Sequence, residues 1–252
     1  MIRFVGAGPG AEDLITVRGQ SLLKEADIVV YAGSLVNPKL LELCKESCEI
    51  FNSAYMTLEE VLEVLIRGER ERKKVVRLHT GDPCLYGAIK EQMDGLDKEG
   101  ISYEICPGVS SFCGAAAALN AEYTLPGISQ SVVITRMAGR TPVPEKESIQ
   151  SFSAHQATMV IFLSTGMLEE LSKELIAGGY LPETPAAIVY KATWPEEEVH
   201  HCTVETLKET ANLNGIKKTA LIVVGDILDG DYHRSELYNP AFTTEFRQGK
   251  TD

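Results

Sequence analysis

The chain has 252 residues, of which 44% are hydrophobic, so it can bury a substantial core in one domain or in two small ones. Its formal net charge of −12 disfavours nucleic acid as the main partner, because that affinity comes largely from lysines and arginines that neutralise phosphates. No apolar run approaches the roughly 20 residues that span a bilayer, and no signal peptide precedes the first apolar segment, so we expect a cytoplasmic protein that does not cross a membrane.

The first half of the chain alternates short apolar runs with helical patterns. The runs that predict buried strands lie at residues 2–5, 28–31, 75–78 and 103–105. Between residues 58 and 65, four apolar side chains have the spacing of one helix face, and Thr57 with Glu60 forms a capping box at its start. A helix of small residues at 110–119 closes this half.

A Leu-Pro-Gly turn at residues 125–127 interrupts the pattern and predicts a domain boundary. The strands predicted after it lie at residues 131–135, 158–163, 186–190, 199–203 and 220–224. The expected fold class is therefore α/β, with two α/β domains of mostly parallel or mixed sheets. We expect domains at residues 1–125 and 126–230, and a polar tail at 231–252 that forms a surface extension or is mobile.

The sequence Gly-Ala-Gly-Pro-Gly-Ala at residues 6–11 formally matches a dinucleotide-binding fingerprint after a first strand. The acidic residue that would bind ribose is missing from the end of the second strand, since Asp27 precedes that strand. Pro9 has no N–H for a phosphate, and Glu12 and Asp13 add negative charge nearby. The loop therefore suits a ligand without phosphate rather than NAD, or is a purely structural turn.

The cysteine and histidine patterns predict no metal site. Six cysteines lie scattered without a C-x-x-C pair and are expected to be reduced. Cys44 and Cys48 are predicted to be two small residues on one helix face. Strand alternation turns His201 away from His200 and Cys202, which leaves too few ligands for zinc.

Three motifs, each at the end of a predicted strand, together resemble the tetrapyrrole C-methyltransferases over roughly residues 1–230. They are Val-Gly-Ala-Gly-Pro-Gly at 5–10, Thr-Gly-Asp-Pro-Cys-Leu-Tyr-Gly at 80–87 and Pro-Gly-Val-Ser-Ser at 107–111. The segments at 30–36 and 139–144 are similar to the branch that methylates C11 of precorrin-4 or its cobalt form in cobalamin synthesis. Uroporphyrinogen-III methyltransferases usually read Gly-Gly-Asp-Pro where this chain has Thr80-Gly81-Asp82-Pro83.

The resemblance implies an active site in a cleft between the two domains, S-adenosylmethionine as cofactor, S-adenosylhomocysteine as product, and a homodimer. It assigns cofactor contacts to Pro9, Thr80, Gly81, Asp82, Leu85, Ser110, Ser111, Leu163, Ala192 and Ala220. Relatives often have Met at the position of Leu163 and Gly at that of Ala192, so these two departures are conservative. The joint placement of glycines at strand ends also favours a ligand site, because open α/β sheets bind ligands there.

The substrate of such an enzyme carries many carboxylates, so an acidic protein must place some basic residues around it. The candidates for substrate binding are Arg136, Arg140, Tyr86, Arg18 and Lys191, although each could equally be a surface or packing residue. Asp82 could anchor the cofactor or cap the following turn. The residues do not decide which group accepts the proton or whether the substrate carries cobalt. The alternatives are uroporphyrinogen-III methylation and a non-catalytic, ligand-sensing protein of the same fold.

Overall fold

The computed structural model describes residues 1–250, which form two compact units. The first unit comprises residues 1–115 together with Lys191–Glu197, and the second comprises residues 116–190 and the chain from Glu198 onward. The seven residues Lys191–Glu197, here called the crossing segment, thus lie in the first unit although the sequence on both sides belongs to the second.

The first unit is built on a five-stranded, fully parallel sheet. Its strands are β1 (Ile2–Gly6), β2 (Ile28–Tyr31), β3 (Glu49–Asn52), β4 (Val75–His79) and β5 (Tyr103–Cys106), in the order β3-β2-β4-β1-β5. The helices are α1 (Val17–Glu25), α2 (Leu58–Arg70), α3 (Ile89–Lys98) and α4 (Ser111–Leu119). Parallel strands covered on both faces need apolar side chains on both faces, which explains why β2 is entirely apolar at its first three residues and why β1 and β4 are mostly apolar.

Helix α2 begins as its sequence predicts. The Thr57 side chain accepts a hydrogen bond from the Glu60 N–H at 3.3 Å, and the Glu60 carboxylate accepts one from the Thr57 N–H at 2.7 Å. The buried face of the helix includes Val61 and Leu65, two of the four residues that predicted it. The capping box and the amphipathic pattern are both confirmed.

The second unit has a mixed five-stranded sheet of order β6-β7-β10-β8-β9. Its strands are β6 (Val132–Arg136), β7 (Thr158–Phe162), β8 (Pro185–Tyr190), β9 (Glu198–Thr203) and β10 (Ala220–Val224), and its helices are α5 (Ile149–Ser153), α6 (Leu168–Gly178) and α7 (Leu207–Leu213). Only β6 and β7 pair in parallel, while the other three pairs are antiparallel. The predicted α/β class with parallel or mixed sheets is confirmed.

The segment around Cys44 and Cys48 differs from its prediction. A 3-10 helix, Pro38–Leu43, ends before Cys44, and Cys48 immediately precedes β3, so the two residues do not share a helix face. A turn bond from the Cys48 N–H to the Lys45 carbonyl, at 2.9 Å, reverses the chain between them. Burial raises the pKa of the Cys48 thiol to about 12 and also raises that of Cys44, which keeps both thiols protonated.

The alternation predicted along β9 is present, with His200 and Cys202 half-buried and His201 exposed. Within residues 1–250 there is no group of three or more side chains placed to hold a metal ion. None of the helices in that range is long and apolar enough to cross a bilayer. Between residues 231 and 250 the only helical turn is the 3-10 segment Glu236–Tyr238.

Candidate active site

The loops that follow β1 and β4 are joined to each other through their backbones. We call residues 6–11 the glycine loop and residues 80–87 the central loop. The Gly8 N–H donates to the Gly81 carbonyl at 3.2 Å, and the Gly81 N–H donates to the Gly8 carbonyl at 2.8 Å. Both glycines have positive φ, at 81° and 61°, which a residue with a side chain rarely adopts. The pairing of the two loops therefore depends on these two glycines.

A third loop, residues 107–111, packs directly against this pair. A Cβ atom on Gly6 would lie 2.5 Å from the Gly108 Cα, and one on Gly108 would lie 2.2 Å from the Gly81 carbonyl oxygen. Beside Gly81 lie the backbone atoms of Ser110 and Ser111, which a Cβ there would meet at 3.5 Å. The three sequence motifs thus form one junction of closely packed backbone at the carboxyl ends of β1, β4 and β5.

Asp82 fastens the central loop to the third loop. Its Oδ1 accepts the Cys84 N–H at 2.8 Å, and its Oδ2 accepts the Gly108 N–H at 2.8 Å. Burial opposes ionisation of this carboxyl, but the hydrogen bonds from Cys84 and Gly108 outweigh it and lower its pKa. Both oxygens are engaged by backbone, so Asp82 caps the turn, and a direct contact with a ligand stays a prediction.

The crossing segment Lys191–Glu197 packs against the glycine loop. The Thr193 hydroxyl accepts the Ala11 N–H at 3.0 Å, and the Trp194 indole N–H donates to the Pro9 carbonyl at 3.1 Å. The segment carries Ala192, which is buried, into the unit that contains the three loops. Lys191 and Thr193 have positive φ, at 45° and 70°, so the backbone here is held in a costly conformation.

The first unit therefore contains eight of the ten residues predicted to bind the cofactor. They are Pro9, Thr80, Gly81, Asp82, Leu85, Ser110, Ser111 and Ala192. The other two, Leu163 and Ala220, lie in the second unit at the end of β7 and the start of β10. Leu163 is 65% exposed and has a φ of 53°, and its contact with the cofactor stays a prediction.

The predicted substrate residues differ in how much of their binding capacity is already used. The Arg136 guanidinium donates to the carbonyls of Met137, Thr141 and Pro142 at 3.1, 3.0 and 3.0 Å, so it shapes the loop that contains Arg140. Arg140 itself is exposed. In the second unit, Arg140 is therefore better placed than Arg136 to meet a carboxylate from solvent.

The substrate residues predicted in the first unit are Arg18, Tyr86 and Lys191. Arg18 is exposed on α1, and Tyr86 is 45% exposed with a φ of 56°. The Lys191 ammonium lies 3.4 Å from the Glu196 carboxylate and 5.7 Å from the centre of the Trp194 ring. Lys191 is thus already paired on both sides, which lowers its value as a substrate contact.

Residues 1–208 match the family model described as tetrapyrrole (corrin/porphyrin) methylases. The chain belongs to this family. It is 53% identical to a cobalt-precorrin-4 C(11)-methyltransferase of Methanocaldococcus jannaschii, over 97% of this chain and 95% of the relative. The family's solved structures include a cobalt precorrin-4 methyltransferase that is 47% identical, with a TM-score of 0.89, covering 91% of this chain and 96% of that one.

A second solved tetrapyrrole methylase is the uroporphyrin-III C-methyltransferase of Thermus thermophilus, complexed with S-adenyl homocysteine. It is 27% identical, with a TM-score of 0.75, and covers 90% of this chain and 93% of that one. The chain is thus more similar in sequence and backbone to the cobalt precorrin-4 methyltransferase than to this enzyme.

The glycine loop offers little to a phosphate group, as its sequence predicts. The Gly8 N–H is bound by Gly81, Pro9 has no N–H, and the Ala11 N–H is bound by Thr193. Phosphate cradles depend on free backbone donors of this kind. The loop therefore offers few of the free backbone donors that a dinucleotide phosphate needs.

Sequence reasoning missed a polar group buried beneath the central loop. Arg77 and His79 lie on one face of β4, and each is less than a tenth exposed. The Arg77 side chain donates to Gln92 Oε1 at 2.9 Å and to the Val30 carbonyl at 3.1 Å, and burial lowers its pKa to about 10. Burial, and then the charge of Arg77, lowers the pKa of His79 to about 3, and its Nε2 has no hydrogen-bond partner within residues 1–250. Two polar residues at alternate positions of an apolar strand were the available signal.

Gln92 connects this buried group to the central loop. Its Nε2 donates to the Ala88 carbonyl at 3.1 Å, and Ala88 adopts a φ of 49° just before α3. The chain from Tyr86 to Ala88 thus has two non-glycine residues with positive φ, and Gln92 of α3 holds it at the Ala88 carbonyl. Such strain persists only where the surrounding structure imposes it.

Proposed function

We propose that this chain is an S-adenosylmethionine-dependent methyltransferase that methylates C11 of cobalt-precorrin-4 or precorrin-4 in cobalamin biosynthesis. The observation that carries the proposal is the junction of three glycine-containing loops in a chain 53% identical to a cobalt-precorrin-4 C(11)-methyltransferase. The cobalt form is favoured because both that relative and the solved structure at a TM-score of 0.89 are named for cobalt precorrin-4. The expected homodimer and cytoplasmic location stay predictions.

The chemistry asks little covalent work of the protein. When bound, S-adenosylmethionine would supply a methyl group on positively charged sulfur: an electron-rich ring carbon would form a bond to that methyl group while its bond to sulfur breaks and S-adenosylhomocysteine leaves. The chain's part is to hold the two reactants in line and to keep water away. No nucleophilic side chain is needed for this reaction.

We assign the holding of the cofactor to the three-loop junction. Pro9, Gly81 and Ser110 would present backbone and small side chains to it, since close approach to a ligand is possible only where side chains are small. Asp82 contributes by keeping the central and third loops together through its two backbone hydrogen bonds. Ala192, Leu163 and Ala220 stay predicted contacts.

We propose that basic residues bind the carboxylates of the macrocycle, and Arg140 is the first candidate. The net charge of −12 would otherwise repel such a polyanion, so a local positive group is required near it. A guanidinium binds carboxylate through two parallel N–H groups, which orients the macrocycle as well as attracting it.

The test is a substrate comparison with purified protein and S-adenosylmethionine. Cobalt-precorrin-4, metal-free precorrin-4 and uroporphyrinogen III are supplied separately, and released S-adenosylhomocysteine is measured. We expect turnover with one or both forms of precorrin-4. Turnover only with uroporphyrinogen III would instead support the other reaction, and cofactor binding with no turnover on any of the three would support a ligand-sensing protein.

A further inference from the structure

The chain's only tryptophan contacts the glycine loop and belongs to none of the three hydrophobic clusters found among residues 1–250. Trp194 is half-buried, and its indole N–H donates to the Pro9 carbonyl at 3.1 Å. An amphipathic aromatic residue with its N–H on a backbone carbonyl fixes that carbonyl in position. The residue thus holds the loop at the proline predicted to contact the cofactor.

Side chains from outside the glycine loop bind one backbone group on each of three consecutive loop residues. The Pro9 carbonyl is bound by Trp194, the Gly10 carbonyl by Asn37 Nδ2 at 2.8 Å, and the Ala11 N–H by Thr193 at 3.0 Å. Two of these three side chains belong to the crossing segment. The shape of the loop therefore depends on that segment as well as on its own glycines.

Trp194 also explains why residue 10 is glycine. A Cβ atom on Gly10 would lie 2.1 Å from the indole Cδ1 and 2.3 Å from Nε1, far inside contact distance. Gly10 is not one of the glycines with positive φ, so its backbone conformation would accept alanine. The three heavy atoms nearest to that Cβ all belong to the indole.

The crossing segment is itself braced, so the indole cannot simply move away. The backbone N–H of Trp194 donates to the Lys191 carbonyl at 3.0 Å, and the backbone N–H of Thr193 donates to Glu197 Oε2 at 2.5 Å. The Lys191 ammonium lies over the ring at 5.7 Å, within the range of a cation–π interaction. On its other side, the γ-methyl of Thr193 lies 3.0 Å from where a Gly114 Cβ would be.

From these contacts we propose that Trp194 is a positioning residue for cofactor binding, acting through Gly10 and the Pro9 carbonyl. It sets the shape in which the glycine loop receives the adenosyl ligand, and does not itself touch the reacting atoms. This inference rests on the proposed function, because it takes S-adenosylmethionine as the ligand of the loop.

The test is a mutant cycle in three backgrounds. Gly10→Ala is made with Trp194, with Trp194→Phe and with Trp194→Ala, and the affinity for S-adenosylhomocysteine is measured by calorimetry. Phenylalanine keeps a ring near Gly10 but lacks the N–H, whereas alanine removes both. Gly166→Ala is the matched control, since a Cβ there meets nothing within 4 Å and φ is not positive.

With Trp194 or Trp194→Phe present, we expect Gly10→Ala to weaken S-adenosylhomocysteine binding at least about tenfold. In the Trp194→Ala background, the same substitution should weaken binding less than about twofold. Trp194→Phe alone should weaken binding through loss of the hydrogen bond to Pro9. In steady-state assays of Gly10→Ala, KM for S-adenosylmethionine should rise, while kcat at saturating cofactor stays within about twofold. A residue needed only for folding would not give this division.

The proposal is overturned if Gly10→Ala binds like the unmodified chain, or loses the same affinity in all three backgrounds. A similar loss in Gly166→Ala would also overturn it. The free energy of unfolding of the same variants is measured in parallel. If the unmodified chain binds neither S-adenosylmethionine nor its product, the proposed function fails, and the unfolding cycle then still reports whether Trp194 and Gly10 are coupled.

Discussion

At the scale of single residues, Gly81 tests whether the central loop receives the cofactor. Its positive φ disfavours any side chain, and a Cβ there would already contact the backbone of Ser110 and Ser111 at 3.5 Å, so a leucine would have to extend past the third loop. We expect Gly81→Leu to reduce S-adenosylhomocysteine affinity by about a hundredfold or more while the chain stays folded. Calorimetry and circular dichroism measure the two properties.

Gly100→Leu is the control for this substitution. Gly100 has a similar φ of 67°, but a Cβ there would meet nothing within 4 Å, so the backbone strain is matched and the loop contact is absent. Equal loss of affinity in both variants would show that general strain, and not the central loop, causes the defect. Unchanged affinity in folded Gly81→Leu would make the loop purely structural.

Arg140 tests where the macrocycle binds. We expect Arg140→Ala to raise the tetrapyrrole KM, because a charge-assisted contact to carboxylate is lost. The rise should correspond to a loss of binding free energy on the order of 1.5–3 kcal/mol. Arg136→Ala should have the same effect indirectly, since Arg136 holds the Met137 carbonyl before Arg140 and the Thr141 and Pro142 carbonyls after it. Both variants should retain normal cofactor affinity.

Steady-state kinetics at increasing salt measures the effect of these arginines, because screening weakens the attraction that they supply. Lys173→Ala is the control from the same unit, since Lys173 pairs with Glu169 on the exposed face of α6. Normal tetrapyrrole kinetics in Arg140→Ala, Arg136→Ala and the double variant would place the macrocycle elsewhere, with Arg18 and Lys191 next to be tested.

At the scale of elements, the strand β3 shows how ion pairs replace apolar burial. Glu49 on β3 is bound by Arg67 of α2 at 2.9 Å and by Lys73 at 2.6 Å. The hydrogen bond from Arg67, and to a smaller extent that from Lys73, lowers the Glu49 pKa from 4.5 to about 2. The folded pKa lies below the unfolded one, so the stabilisation is present above about pH 4.5 and is lost as the pH falls towards 2.

We therefore expect Glu49→Gln to lower the thermal midpoint at pH 7 and to differ progressively less from the unmodified chain between pH 5 and pH 2. The effect should be modest, because these side chains are more than a third exposed or close to it and the pairs are screened. Thermal unfolding by circular dichroism measures it, with Glu209→Gln at an exposed position of α7 as the control. A difference that stays constant with pH would contradict this account of β3.

Local pattern was sufficient for elements whose stability is local or fully apolar. The capping box and the apolar face predicted α2, and short, mostly apolar runs predicted β1, β2 and β4. The four residues of β3, Glu-Ile-Phe-Asn, gave no such pattern, because their partners lie 18 or more residues away. Pro38 begins a 3-10 helix that ends before Cys44, which is why spacing alone misplaced the two cysteines.

At the scale of the whole molecule, family resemblance predicted which loops form the candidate site, and the structure shows how they are joined. The three sequence motifs predicted the three loops, which meet at Gly8, Gly81 and Gly108. The placement of the crossing segment in the first unit was not predictable, since it depends on non-glycine residues with positive φ and on hydrogen bonds spanning more than 180 residues. Trp194 was missed for the same reason, whereas the buried Arg77 had a signal in the sequence, since it alternates with His79 in a mostly apolar strand.

The carbon that receives the methyl group distinguishes the proposed C11 methylation from the alternatives. Cobalt-precorrin-4 and the purified chain are incubated with S-adenosylmethionine labelled with carbon-13 in its methyl group, and the product is examined by nuclear magnetic resonance and mass spectrometry. We predict one labelled methyl group per macrocycle, attached to C11, with one S-adenosylhomocysteine released for each. A label at any other carbon, or transfer to uroporphyrinogen III but not to either form of precorrin-4, would contradict the account.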